Sequence, residues 1–200
     1  MINAFATPIF NFKLGDDAEK ILDDIKDYLL KEEKKKKDSD PKFSLKGKNG
    51  WHSPDNLAYL DYSWSNSLRE TLLGLAESYS YEIKSPVGIH RDLVKVSCWG
   101  MLIRKGDMST PHTHPNSLSS GTIWIDVPED MDDGGKLCFL DPRGGARNDV
   151  TFGSTSMDFN PERRAGVVFP SWLDHYVTPH NSDSTRISIA WNIQPTMRYK

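Results

Sequence analysis

The sequence predicts a mainly β protein with two buttressing helices (α+β), built on an antiparallel sandwich or barrel of jelly-roll type. From residue 86 onward, short stretches of alternating apolar and polar residues follow one another without helical periodicity. Turns rich in Gly, Pro, Asp and Asn separate them. Such runs are typical of antiparallel sandwiches and barrels. A chain of 200 residues suits a single domain (1–200), in which an N-terminal segment with two packing helices (1–85) supports a jelly-roll core (86–200).

Two amphipathic helices are predicted in the N-terminal segment. The first covers residues 16 to 33, where Asp16 and Asp17 stand at the start to cap free amides. The second covers about 67 to 80, where Ser67 and Glu70 form an S-x-x-E capping box. Each helix has one apolar face, so each is expected to pack against a sheet. The lysine-rich stretch between them, residues 31 to 42, is interpreted as a solvated helix end and loop.

The core is predicted to contain strands at 94–103, 122–127, 136–140, 166–169 and 185–193. Cys98 and Cys138 fall within these strands, so we expect two buried thiols and no disulfide framework.

The charge and hydropathy of the chain exclude several classes of partner. The formal net charge is -3 with acids and bases mixed, which does not suggest a nucleic-acid surface. No run of about 18 apolar residues is present, so no membrane span is expected. The first residues, MINAFATPIFNF, lack the basic and apolar regions of a secretory leader, and a cytoplasmic globular protein is therefore expected.

Three histidines form a candidate metal site. His112 and His114 lie one residue apart in TPHTHPNSLSSG, and residues i and i+2 of a strand point to the same side. His175, in FPSWLDH, lies in another strand-like segment that a folded-over sheet can bring to the same point. Neutral imidazole is a ligand for Fe, Zn, Cu and Ni.

The last predicted strand, TRISIAWNI, presents two different faces. Ile187, Ile189, Trp191 and Ile193 form an ordinary core face, whereas Arg186, Ser188, Ala190 and Asn192 share the other. An arginine binds a carboxylate through a bidentate fork, and a neighbouring hydroxyl can donate one more hydrogen bond. Arg186 and Ser188 are therefore candidates for binding an anionic ligand.

A histidine followed eleven residues later by Arg-x-Ser resembles the Fe(II)/2-oxoglutarate-dependent oxygenases, which are double-stranded β-helix (jelly-roll) enzymes. Over nearly the whole chain, the sequence is similar to prolyl-hydroxylase-like members from bacteria and phages. The matching segments are ATPIF, WGMLIRKG, HTHPNSLSSG, LDPR, VVFPSWLDHYVTPH and RISIAWN. The resemblance implies a dioxygenase that uses Fe(II), 2-oxoglutarate and O2, with His112 and His175 as metal ligands and Arg186, beside Ser188, holding the far carboxylate of 2-oxoglutarate. Hydroxylation of a small-molecule or peptide substrate is the implied outcome.

The sequence departs from that family at His114, where an Asp or Glu ligand is expected. His114 is our preferred third ligand; a carboxylate such as Asp126 or Asp174 is the alternative. Two other classes stay open. GDMSTPHTH and PSWLDH resemble parts of a cupin motif, which favours a three-histidine metalloenzyme, although the cupin glutamate is missing. A non-enzymatic jelly-roll binding module is the third class. Trp99, Asn116 and Trp124 are candidates for lining the pocket.

Overall fold

The computed structural model describes residues 5–35, 50–145 and 155–196. Its two longer helices are α1 (Glu19–Lys35) and α2 (Ser63–Glu82). Its strands are β1 (Phe10–Lys13), β2 (Trp51–His52), β3 (Val94–Ile103), β4 (Ser109–His112), β5 (Ser119–Asp126), β6 (Leu137–Leu140), β7 (Ser156–Phe159), β8 (Ala165–Phe169), β9 (His175–Val177) and β10 (Arg186–Pro195).

The described strands form two antiparallel sheets. The major sheet has six strands in the order β1-β8-β5-β10-β3-β2, and the minor sheet has four in the order β4-β9-β6-β7. Neighbours along the chain are mostly not neighbours in a sheet, as expected when a chain winds between two sheets of a jelly roll. The predicted fold class, mainly β with buttressing helices in a double-stranded β-helix, is confirmed.

The predicted strands are all present, and the strand-like segments expected at His112 and His175 form the short strands β4 and β9. Three further short strands, β1, β2 and β7, were missed, because two to four residues are too few for alternation to be visible in the sequence. β5 begins at Ser119 instead of residue 122, because its first residues are small and polar and hide the pattern.

Both predicted helices form, but their predicted starts are wrong. Ser67 lies inside α2 and its carbonyl accepts a hydrogen bond from Thr71 Oγ, so Ser67 and Glu70 do not form a capping box. Tyr62 occupies the cap position of α2 without a side-chain cap bond. Residues 16–18 form a 3₁₀ turn before α1, and Gly15 stands at its N-cap, also without a side-chain cap bond.

The main core lies between the helices and the outer face of the major sheet. Buried residues of α1 and α2, such as Leu29 and Leu72, pack in one cluster with Ile123, Val168 and Ile189 of the sheet. This confirms that the helices buttress one sheet. Cys98 and Cys138 are both buried and free, as predicted.

Three further expectations meet the structure in different ways. No helix in the described part of the chain combines the length and apolarity needed to cross a membrane. Residues 36–42 of the lysine-rich stretch lie outside the described residues. The division of a single domain at residue 85 stays a prediction; β1 and β2, which precede it, are paired with strands of the core.

Candidate functional site

A cavity of about 390 Å³ lies between the two sheets. Its lining combines the inner face of the major sheet with the end of the minor sheet that carries the histidines. His112, His114, His175, Arg186 and Ser188 all border it. The structure thus brings the predicted metal ligands and the predicted anion-binding pair to one cavity.

The strand register explains why two of the histidines meet. His112, the last residue of β4, lies opposite His175, the first residue of β9, in an antiparallel pair. His114 lies beyond the end of β4, so its expected placement by strand alternation is wrong. Its backbone N–H instead donates to the Ser171 carbonyl, 2.8 Å away, and this bond holds the chain after β4 against the segment that precedes His175.

The three imidazoles have the spacing of ligands around one ion. Their ligand atoms lie within 4.8 Å of one another. The Nε2 atoms of His114 and His175 are 3.1 Å apart. Two nitrogens bonded at right angles to one ion at about 2.1 Å are roughly 3 Å apart, so this separation fits a shared metal.

The electrostatics of the site also suit a divalent cation. Burial, followed by the proximity of His112, lowers the pKa of His114 from 6.5 to about 3. Burial, followed by the proximity of His112 and His114, lowers the pKa of His175 to about 3. Both rings are therefore neutral at pH 7, which is the state that binds a metal.

The alternative carboxylate ligands lie elsewhere. Asp126 forms an ion pair with Lys26 of α1, with 2.6 Å between its carboxylate and the Lys26 Nζ. Among the described residues, the group able to hold a metal at this cavity consists of the three histidines, without Asp126 or Asp174. This arrangement favours His114 as the third ligand.

Arg186 is a buried cation beside the histidines. Its side chain is 1% exposed, and desolvation lowers its pKa from 12.5 to about 10. Its Nη1 donates to Ser188 Oγ at 3.3 Å, while its Nε has no hydrogen-bond partner. Within residues 5–35, 50–145 and 155–196 no carboxylate pairs with it. Since a buried charge without a counter-ion is costly, the surroundings of Arg186 favour the binding of an anion.

The three residues predicted to line the pocket have different surroundings. Trp99 borders the cavity, and its ring centroid lies 5.7 Å from that of His114. Trp124 faces away from Ile123 and Ile125, as predicted, but packs in a second apolar cluster with Phe139. Asn116 has a φ of 61°, a left-handed conformation that asparagine tolerates, and it forms the turn after His114.

Other lining residues were missed from the sequence. His52 of β2 is buried and borders the cavity, and so does Thr122 of β5, whose hydroxyl donates to the Ile189 carbonyl at 3.0 Å. No motif distinguishes His52, because β2 is only two residues long. Asn192 was predicted on the same face of β10 as Arg186, but its contact with His114 was not predicted. Asn192 Nδ2 lies 3.4 Å from His114 Nδ1.

Residues 97–192 match a protein family described as "Putative 2OG-Fe(II) oxygenase". All of the candidate ligands and both members of the anion-binding pair lie within this segment. This segment, a little under half of the chain, is similar to the 2-oxoglutarate/Fe(II)-dependent oxygenases. The protein is an enzyme, a 2-oxoglutarate-dependent oxygenase, and its cofactors are Fe(II), 2-oxoglutarate and O2. No curated protein sequence matches the chain.

Solved structures of such enzymes share the fold. A prolyl-4-hydroxylase from Pseudomonas putida is 14% identical, with a TM-score of 0.68 over 94% of this chain and 93% of that chain. A prolyl hydroxylase from Trichoplax adhaerens, in complex with a hypoxia inducible factor peptide fragment, is 14% identical, with a TM-score of 0.62 over 94% and 83%. HygX from Streptomyces hygroscopicus, with nickel and 2-oxoglutarate bound, is 12% identical, with a TM-score of 0.58 over 96% and 84%.

Proposed function

We propose that this enzyme hydroxylates a C–H bond of a peptide or small-molecule substrate, with His112, His114 and His175 as the Fe(II) ligands and Arg186 with Ser188 as the 2-oxoglutarate clamp. The observation that carries the proposal is the buried, unpaired Arg186 at the same cavity as the three histidines. A metal site alone fits many enzymes, whereas a metal site beside a buried cation fits a ligand that chelates with one end and carries a carboxylate at the other.

Bound Fe(II) with 2-oxoglutarate supplies activation of O2, so that the substrate R–H becomes R–OH while 2-oxoglutarate becomes succinate and CO2. The contribution of the chain is binding and orientation. Arg186 neutralises the far carboxylate through its guanidinium fork, and Ser188 fixes the rotation of that fork by accepting from Nη1. Ala190 and Trp99, beside them on the cavity wall, keep this part of the cavity apolar.

The three-histidine set affects the charge of the site. Three neutral imidazoles offset none of the metal charge, so the bound oxoacid, with its two carboxylates, supplies the negative charge that balances Fe(II) and Arg186. We expect metal and 2-oxoglutarate to bind cooperatively for this reason: each one reduces the electrostatic cost of the other in a buried site.

The substrate is proposed only as a class. The Trichoplax adhaerens enzyme was solved with a peptide, and HygX was also solved with hygromycin B, so related folds accommodate both peptides and small molecules. In this chain, His112 is exposed while His175 is buried, which places the solvent-facing side of the metal site at His112. We propose that the substrate approaches there. Neither a nucleic-acid nor a membrane partner is proposed, and a cytoplasmic location stays a prediction.

The first test is an anaerobic titration of the metal-free protein with Fe(II) and then 2-oxoglutarate, following the visible charge-transfer band of the chelated complex. We expect the band in the wild type, no band in His175→Ala, and a band that needs much more 2-oxoglutarate in Arg186→Met. His90→Ala and Arg69→Met are the matched controls, because His90 is exposed and Arg69 lies on α2, away from the cavity.

Each other outcome identifies another class. Metal binding without the band would overturn the oxoglutarate clamp and favour a cupin-type metalloenzyme with a three-histidine site. Failure to bind any metal would favour a binding module. If the band forms, incubation with candidate peptides and small molecules under ¹⁸O2 tests the hydroxylation: one labelled oxygen in the product, with stoichiometric succinate, is expected. Succinate formation with an unlabelled, dehydrogenated product would overturn hydroxylation as the outcome.

A further inference from the structure

The three histidines differ in the hydrogen-bond partner of Nδ1, the ring nitrogen that faces away from the metal site. His112 Nδ1 is 2.7 Å from the Thr110 carbonyl, and His175 Nδ1 is 2.8 Å from the Leu173 carbonyl. A carbonyl oxygen only accepts, so both Nδ1 atoms carry the ring proton and both Nε2 atoms present a lone pair. Each of these rings is thus prepared as a ligand by the backbone two residues before it.

His114 has a side-chain amide at the corresponding position. The Nδ1 of His114 lies 3.4 Å from Nδ2 of Asn192, and Asn192 Oδ1 accepts a hydrogen bond of 2.7 Å from Ser120 Oγ. An amide nitrogen donates, so in this arrangement Nδ1 of the neutral ring is the acceptor and the proton is on Nε2. That Nε2–H points at the lone pair of His175 Nε2, 3.1 Å away. Without a metal, the arrangement is fully hydrogen-bonded.

A metal at this site requires the opposite proton position on His114. An Nε2 that carries a proton cannot bind an ion, so the ring proton has to be on Nδ1, where it needs an acceptor. We propose that Asn192 is a positioning residue that supplies this acceptor: its amide is reversed in the metal-bound protein, Oδ1 accepts from His114 Nδ1–H, and Nδ2 donates to Ser120 Oγ. The inference rests on the proposed role of His114 as a ligand.

The surroundings of Asn192 suit such a reversal. The amide is 6% exposed and Ser120 is fully buried, so the surrounding protein, not bulk solvent, determines its hydrogen bonds. A hydroxyl both donates and accepts, so Ser120 is a partner for either amide orientation. Asn192 and Ser120 are register partners on β10 and β5, which fixes the distance between their side chains. The side chain of Asn192 thereby gives His114 the acceptor that a backbone carbonyl gives His112 and His175.

The direct test is the proton position on His114, measured by long-range ¹H–¹⁵N correlation on histidine-labelled wild-type protein. Zn(II), which is diamagnetic, is the probe. We expect the Nε2–H form of His114 in the metal-free protein and the Nδ1–H form after Zn(II) is added, whereas His112 and His175 keep Nδ1–H in both. A His114 ring that already carries the proton on Nδ1 without metal would overturn the reversal. Because it uses the wild type, this test does not depend on a variant that folds.

The variants test the effect on metal affinity, measured by competition titration with Co(II). Asn192→Ala removes the acceptor and is expected to weaken Co(II) binding about 10- to 100-fold, the usual effect of losing the partner of a metal-bound histidine. Asn192→Asp has nearly the same shape and only accepts, so we expect it to bind at least as tightly as the wild type. In a His114→Ala background, replacing Asn192 by Ala is expected to have no further effect.

These results separate the inference from the proposed function. If the wild type binds Co(II) and both Asn192 variants bind it equally well, Asn192 has no positioning role and the inference is overturned. If Asn192→Asp is as weak as Asn192→Ala, Asn192 contributes shape and not an acceptor, which overturns it too. If the wild type does not bind Co(II), or His114→Ala binds it as tightly as the wild type, the proposed ligand set itself fails.

Discussion

The two faces of β10 are both buried, but one carries only neutral side chains and the other carries a charged one. On one face, Ile187 and Ile189 are 1% and 0% exposed and pack against the helices. On the other, Arg186 and Ser188 are each 1% exposed and border the cavity. The polar atom without a partner on the core face is the neutral indole nitrogen of Trp191, whereas on the cavity face it is a nitrogen of the charged Arg186 guanidinium.

This difference indicates that burial alone does not identify a site. Both faces belong to the same strand of the same sheet, and both are shielded from water. What distinguishes the cavity face is a buried charged group, Arg186, whose hydrogen bonds the described protein does not complete, which is expected where a charged ligand binds. Substitutions on the core face should therefore lower stability, and substitutions on the cavity face should lower ligand affinity.

The largest expected effect is on the core face. Trp191→Ala removes a fully buried indole and is expected to lower the free energy of unfolding by about 3–5 kcal/mol. Urea denaturation measures this loss. The matched control is Trp172→Ala: this indole is 59% exposed, and its loss should change stability by less than about 0.5 kcal/mol. Equal losses in the two variants would contradict the assignment of Trp191 to the core.

The corresponding change on the cavity face is Arg186→Met. It should weaken 2-oxoglutarate binding to the Ni(II)-loaded protein by about 2–5 kcal/mol, or roughly 30-fold or more, because the far carboxylate loses its cation. Stability of the metal-free protein should stay the same or rise, since an unpaired buried charge is removed. Calorimetric titration and urea denaturation give the two values. A variant that loses stability but keeps its affinity would make Arg186 a structural residue.

Binding of 2-oxoglutarate at the cavity face should also be visible in the wild type, as an increase in stability. At 100 times its dissociation constant, 2-oxoglutarate should stabilise the Ni(II)-loaded protein by about 2.7 kcal/mol, because it binds the folded state only. This is measured as a rise in Tm. Arg186→Met at the same concentration should show at most about a third of that stabilisation, about 0.9 kcal/mol for a 30-fold loss of affinity. Trp191→Ala should show the full rise from a lower starting Tm.

A smaller effect is expected where a helix meets the major sheet. A Cβ added at Gly100 of β3 would overlap the side chain of Leu29, which is fully buried in α1, so Gly100→Ala should cost about 1–3 kcal/mol of stability. Gly74→Ala in α2 is the control, because nothing lies within 4 Å of its added Cβ, and it should stabilise the helix by up to about 1 kcal/mol. Both are measured by urea denaturation, with 2-oxoglutarate affinity unchanged.

The sequence by itself determined the features that depend on local periodicity. The alternation in residues 185–193 separated the core face of β10 from the cavity face correctly, and the long strand β3 was predicted with its observed bounds. The pairing of Arg186 with Ser188 also followed from that alternation. A period of two residues is a property of any strand, so no knowledge of its neighbours is needed.

Only the tertiary structure decided which of these residues meet. His114 lies past the end of β4, and its contacts with His175 and Asn192 join residues 61 and 78 positions apart in the sequence. These contacts depend on the register between β4 and β9 and on how the two sheets face each other. Register is set by side-chain packing and turns across the whole sandwich, and a one-residue slip would move every side chain to the other face. Local sequence does not contain that information, which is why His114 was expected on a strand and its partner Asn192 was not foreseen.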